Sequence, residues 1–192
     1  MNQHSEKPDP VELLYAYSHG YFPMAHPEDE NTIYWHRPKL RGVIPLEQFH
    51  VSKNLSRLYR NGPFKYSMNV AFEDVIKGCS NRSTTWISQE IIDSYVELHK
   101  MGSARSVEVW LDGNLVGGLY GVEMMRAFFG ESMFSKLPNT SKLALVHLVK
   151  YMNAKGMNLL DTQYLNEHLK QFGAVEIEDE KYIRLLEDAL SD

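Results

Sequence analysis

Residues 128–142 read FFGESMFSKLPNTSK, and the rest of the chain is organised around them. An apolar run of β type, residues 116–129, leads in, and a long helical pattern starting after Asn139 or Thr140 leads out. Small and polar residues lie between the two. Gly130 permits a turn, and Glu131 sets a carboxylate where the strand is expected to end. A polar loop between apolar elements is where α/β architectures tend to carry their chemistry.

Working outward, SKLALVHLVKYMNAK is the helix, closed by Gly156, and NLLDTQ is the strand after it. A short helix NEHLKQF, a final strand AVEIED and a closing helix EKYIRLLEDAL follow. Upstream, SVEVWL and LVGGLYGV make a hairpin about Asp112-Gly113-Asn114, and RAFFGE is a third strand. Gly117 and Gly118 inside a strand point to a bulge or to a ligand approaching the backbone. Ser88 caps a helix, QEIIDSYVELHKM, expected to bury Ile91, Ile92, Tyr95 and Met101. FKYSMNV is a strand whose Asn69 caps the helix AFEDVIKGC, RGVIPL is another strand, and Ser52 caps KNLSRLYRNG. At the start, Asp9, Pro10 and Glu12 open a helix that stops at Gly20. The aromatic and proline-rich GYFPMAHPEDENTIYWHRP reads as an irregular but ordered arm. A boundary near Pro38 divides a small N-terminal arm or domain, residues 1–38, from a main domain, residues 39–192. Antiparallel strands followed by helix, strand, helix and strand give an α+β order similar to the GNAT-like acyltransferase core.

Composition limits the function. With 192 residues, 43% apolar and 23% charged, the chain has the balance of an ordinary folded protein. No apolar run approaches the ~20 residues that span a bilayer, and the polar start MNQHSEKPDP is no signal peptide, so a cytoplasmic protein is expected. The lone Cys79 leaves no internal disulfide or multi-thiolate site, and the eight scattered histidines show no metal-ligand spacing. No metal, no cofactor and no membrane partner are expected, and a monomer is the default. The net charge of −5 hides an uneven distribution: residues 37–65 hold seven Lys and Arg against Glu47 alone, a net +6. Within that strip Lys53, Arg57 and Arg60 share one helical face, either a solvated surface or a phosphate-facing one.

Strand alternation sends Asp161 and Gln163 of NLLDTQ to one face, and an acid beside an amide at a strand end has no packing reason to be there. The plainer reading is a cap for the next helix, which Asn166 already supplies. Glu131 adds a second carboxylate if the two strands are neighbours, which suits general acid–base work. The run GESMF lacks the closing glycine of a nucleophile elbow, which weakens Ser132 with His168 as a hydrolase pair. Trp86, just before a helix cap, is either a core anchor or a stacking platform. The turn SKLPNTSK has no glycine to cradle a pyrophosphate, which argues against coenzyme A as donor.

The runs YFPM, TWIS, SVEVW, LVGGLYGV, FFGESMFS, NTSKLAL, LLDTQYLNEHL and FGAVEI together resemble the leucyl/phenylalanyl-tRNA–protein transferases, over nearly all of residues 13–185. The resemblance implies an enzyme that moves Leu or Phe, with Met a further candidate, from aminoacyl-tRNA to the N-terminal Arg or Lys of a protein, marking it for degradation. By position it makes Asp161 and Gln163 the catalytic pair and puts Glu131 near the acceptor. It places Leu119, Phe128, Leu145, Met152 and Leu160 in the side-chain pocket, Trp86 and Tyr17 near the terminal adenosine, and the basic strip against the tRNA. The chain departs from many members at Met24, where they carry Trp, and lacks their longer lead-in and tail, a short form. The competing reading is a non-catalytic RNA-binding module on the same fold, which has no use for the two acids and the amide.

Overall fold

The computed structural model describes residues 7–26, 29–81, 85 and 87–191. Helix α1 spans Pro10–Ser18, and the Asp9 carboxylate caps it by accepting from the Val11 and Glu12 amides at 2.8 and 3.2 Å. The segment expected to be irregular is instead an antiparallel hairpin, β1 (Phe22–His26) with β2 (Asp29–His36). Its aromatic and β-branched residues have found cross-strand partners that the local prolines concealed.

Strand β3 is Leu40–Ile44, and α2 is Lys53–Asn61, capped by Ser52 as expected. Strand β4 (Lys65–Met68) and α3 (Phe72–Ser80) follow. Asn69 does not cap α3; its side chain accepts from the Ser106 amide at 3.0 Å and ties the turn to the next strand. Helix α4 is Gln89–Lys100, and its inner face uses Leu98, leaving Met101 54% exposed beyond the helix end. The hairpin β5 (Ala104–Leu111) and β6 (Asn114–Met124) turns on Asp112 and Gly113, with φ of 49° and 79°. Strand β7 (Ala127–Ser135), helix α5 (Thr140–Ala154) and strand β8 (Leu159–Gln163) come next. A short α6 (Glu167–Lys170), β9 (Val175–Glu178) and α7 (Asp179–Leu190) complete the chain.

Where the pattern of small and polar residues predicts a loop, most of the stretch is strand: β7 continues through Glu131 to Ser135, and only residues 136–139 lie between it and α5. The main sheet runs β4-β5-β6-β7-β8-β3-β9, antiparallel except where β7 and β8 lie parallel. Alternation divides it between two apolar layers. Phe128, Leu160 and Leu119 pack with α5, which is buried on most of its circumference, while Phe129 packs with Tyr17, Tyr95 and Tyr182 on the other side.

The Gly117 position brings α5 against the sheet. A Cβ there would sit 2.5 Å from Thr140 Cβ and 3.0 Å from the Thr140 backbone carbon, while the Thr140 hydroxyl donates to the Val116 carbonyl at 2.8 Å. The glycine serves close helix packing and not the ligand approach considered from the sequence. Gly117→Ala must push the start of α5 off β6, so we expect a loss of about 1–3 kcal/mol in stability. A thermal melt followed by circular dichroism checks this, and an unchanged midpoint would show that the helix start withdraws freely.

Candidate active site

The parallel pair β7/β8 is short. Ala127, Phe128 and Phe129 lie opposite Leu159, Leu160 and Asp161. Beyond that point β7 continues alongside β6 to Ser135, whereas β8 ends at Gln163, opposite Gly42 of β3. The strands diverge, and a cavity of about 610 Å³ opens at their carboxyl ends, lined among others by Gly130, Glu131, Leu145, Leu160 and Thr162. Ligand sites of open sheets favour this position.

The end of β8 is shaped by an irregularity. The register with β3 shifts between Gly42 and Val43, and Gln163 takes a φ of 63°. Gly42 makes room: a Cβ there would lie 2.8 Å from the Tyr164 carbonyl carbon. A bulge with a non-glycine residue in the left-handed region costs energy and re-aims a side chain, a feature common beside functional sites.

Asp161 is completely buried, and its carboxylate is fully engaged. Arg41 donates through Nε to Oδ1 at 2.9 Å and through Nη2 to Oδ2 at 2.7 Å. The Tyr182 hydroxyl gives Oδ2 another bond at 2.7 Å, and the Gln163 backbone amide gives Oδ1 one at 2.8 Å. The guanidinium lies 4.5 Å from both the Phe22 and Tyr182 ring centroids, and Nη1 donates to the Gly20 carbonyl at 2.9 Å. Burial works against the Arg41 charge, but Asp161 outweighs it and raises the pKa above its ordinary value. Arg41, counted from sequence as part of the basic strip, is thus an interior residue that holds Asp161.

Glu131 sits in a different environment. Oε1 accepts from the Tyr17 hydroxyl at 2.7 Å and from Gln163 Nε2 at 2.8 Å; among the described residues nothing bonds Oε2, which is buried. Tyr17 in turn bonds the Tyr95 hydroxyl. Burial is the main force on the carboxyl and lifts its pKa to about 7, with the hydrogen bonds from Tyr17 and Gln163 pulling back and the charge of Asp161 adding to the rise. Burial first, and the neighbouring carboxylate next, push the Tyr17 and Tyr95 hydroxyls well above their ordinary range, so both remain proton donors.

The structure therefore brings Asp161, Gln163 and Glu131 together. Leu119, Leu145 and Leu160 line the cavity, whereas Phe128 and Met152, fully buried, pack in the same apolar layer without lining it. Tyr17 has no exposed face for stacking and serves Glu131 instead. Trp86 lies outside the described residues. Met24 packs, partly buried, against the core. Lys53, Arg57 and Arg60 are exposed along α2, and among the described residues none of them forms an ion pair. Arg37 is tied to Asp179 by two bonds of 2.7 and 2.8 Å, so with Arg41 withdrawn the strip presents five cations against Glu47. Sequence reasoning missed Arg41, Tyr95 and Tyr182 as members of the site. A single Arg in the otherwise apolar RGVI was the available signal, because an interior strand cannot bury a guanidinium without a partner.

Among the described residues no cluster of His, Cys, Asp and Glu has the arrangement of a metal site, and no helix is long and apolar enough to cross a membrane.

Comparison with known proteins was consistent along the chain. The leucyl/phenylalanyl-tRNA protein transferase family matches residues 43–187, and the N-terminal domain of the same family matches residues 7–39. The leucyl/phenylalanyl-tRNA–protein transferase of Paramagnetospirillum magneticum is 52% identical over 184 residues, covering 94% of this chain and 88% of that protein. The Rhodopseudomonas palustris protein of the same name is 49% identical over 185 residues, covering 94% and 83%. Among solved structures FemX superposes with a TM-score of 0.57 at 12% identity, over 78% of this chain and 64% of that one. That likeness concerns fold alone, and it agrees with the GNAT-like α+β core expected from the order of elements.

Arg41 generates a test of the site's framework. Arg41→Met leaves a buried carboxylate without its counter-charge and should cost about 3–5 kcal/mol. The double change Arg41→Met with Asp161→Leu removes both charges and should cost less than the single one. Urea titrations of the two variants check the order, and a double variant less stable than Arg41→Met would refute the pairing as the framework of β8.

Proposed function

The chain belongs to the leucyl/phenylalanyl-tRNA protein transferase family, and from that premise we propose that it is an enzyme moving Leu or Phe from aminoacyl-tRNA to the N-terminal Arg or Lys of acceptor proteins. It works as a cytoplasmic monomer, and the products are marked for degradation. The observation that carries this reading is a buried carboxylate with a pKa of about 7, set in the wall of a cavity that leucines floor.

The cavity floor of Leu119, Leu145 and Leu160 suits a large apolar side chain without a branch at Cβ, as in Leu or Phe. A charged one would lose its hydration there, and a missing methylene forfeits roughly 1–3 kcal/mol. The exposed α2 face of Lys53, Arg57 and Arg60 supplies phosphate contacts that hold the tRNA without reading its sequence.

The chemistry is mild. An aminoacyl ester is already activated, and an α-amino group with a pKa near ~8 is neutral in an appreciable fraction at physiological pH. Its nitrogen attacks the ester carbonyl; the new C–N bond forms, the bond to the ribose oxygen breaks, and one proton moves from the amine to that oxygen. Gln163 donates through Nε2 to Glu131, which turns its amide oxygen away as an acceptor for the incoming amine. Glu131 takes the amine proton on Oε2 and returns it to the leaving oxygen. Asp161 stays engaged by Arg41 and fixes the backbone that aims Gln163. As a carboxylate, Glu131 also faces the cationic side chain of the acceptor.

The decisive experiment mixes the protein with labelled Phe-tRNA and peptides beginning with Arg or with Ala. Label should pass to the Arg peptide alone; binding of the tRNA with no transfer to either would favour the RNA-binding module instead.

The proton route adds a prediction with two opposite signs. Folding raises the Glu131 carboxyl from 4.5 to about 7, so its contribution to stability is full below pH 4.5 and fades as pH climbs through 7. The rate moves the other way and rises through pH 7 as the base form appears. Glu131→Gln should remove that part of the pH–rate profile, cut single-turnover transfer by on the order of 10²-fold or more, and flatten stability between pH 5 and 8. A variant with the wild-type profile would exclude Glu131 as the base.

A further inference from the structure

A second cavity, of about 550 Å³, lies between α2 and the start of α5. Asn54, Arg57 and Asn61 of α2 face Asn139, Lys142 and Gln171 across it, and among the described residues no carboxylate lines it. Asn139 has its backbone in the left-handed region, φ 69°, and its side chain makes no capping bond to α5. The partly buried Lys142 donates through Nζ to the Gln171 amide oxygen at 2.9 Å.

The linings of the two cavities adjoin along the chain in two places. Ser141 lines the first and Lys142 the second; His168 and Leu169 line the first and Gln171 the second. Arg57, one of the three exposed cations of α2, lines the second cavity. Through Arg57 it adjoins the surface that would hold tRNA phosphates, and through Lys142 and Gln171 it neighbours the residues that line the cavity for the aminoacyl ester.

The geometry points to the second cavity as the binding site of the nucleotide that precedes the terminal adenosine in the single-stranded 3′ end of the donor. Lys142 and Arg57 take its phosphate. The amides of Asn54, Asn61 and Asn139 offer donors and acceptors to sugar and base edges, the way proteins read unpaired strands. Amides and cations without an acid suit a polyanion and exclude the basic acceptor peptide, and the volume admits a nucleotide where an exposed ridge would not. This inference rests on the donor reading above.

The test compares two small donors of the full-length protein: phenylalanyl-adenosine and the phenylalanyl ester of the trinucleotide CCA, each with an Arg peptide as acceptor. Hydrogen bonds to a charged group predict a KM on the order of tenfold lower for the trinucleotide in the wild type. Lys142→Ala should collapse that ratio towards one. Gln171→Glu, on an exposed residue, sets a carboxylate beside Lys142 and should collapse it too. Equal KM values for the two donors in the wild type would overturn the assignment. So would variants that raise KM for both donors by the same factor, since that is the signature of a merely structural change. Transfer by the wild type from neither donor would instead overturn the transferase reading.

Discussion

The buried pair of Arg41 and Asp161 is the constraint on which the rest of the site depends. It joins β3 to β8, and the groups around it come from both ends of the chain: Gly20 and Phe22 at the start, Tyr182 of α7 near the finish. Two charges removed from water are costly, and their attraction offsets that cost only when the geometry is close and the leftover hydrogen-bonding groups are occupied. Both conditions hold, with a forked guanidinium contact, a phenol and a backbone amide saturating the carboxylate. The result is less a gain in stability than a fixed register. The last bond, from the Gln163 amide, holds that residue at a φ it would otherwise avoid.

Divergence of β7 and β8 then does the remaining work. Parallel strands that stay paired leave no room between them, whereas these part after Phe129 and Asp161 because β7 keeps its pairing with β6 and β8 keeps its pairing with β3. The cavity is the consequence of two strands each retaining its outer neighbour. Gly117, by admitting Thr140, brings α5 down to form the apolar floor.

Local patterns were legible where the energy is local. Asp9, Ser52 and Ser88 cap the helices they were expected to cap, the Asp112-Gly113 turn is where its residues demand positive φ, and alternation along NLLDTQ puts Asp161 and Gln163 on one face. Reading failed where a partner distant in sequence decides. GYFPMAHPEDENTIYWHRP looked irregular because its prolines are local, whereas its strand pairing is not. The pattern ends the third strand at Glu131, four residues short of Ser135, since a glycine in a central strand reads as a turn when its neighbours are unknown. Arg41 was assigned to the surface because Asp161 lies 120 residues away. The composition of a segment gives its charge but not the side of the sheet on which that charge falls.

The two carboxylates of the candidate site differ chiefly in their partners. Asp161 and Glu131 are both buried and connected through Gln163, which gives its backbone amide to one and its side-chain amide to the other. Asp161 has a guanidinium against it, with two bonds from Arg41. Among the described residues the donors to Glu131 are neutral, and burial first, with the negative charge of Asp161 adding to it, raises its pKa to about 7. The two neighbouring acids thus sit in different surroundings, one against a guanidinium and the other among neutral hydrogen-bond donors. Exchanging the roles would require moving the guanidinium, and Phe22, Tyr182 and Gly20 hold it in place. The ion pair thus fixes the backbone that aims Gln163 and leaves Glu131 as the buried carboxylate with no guanidinium against it.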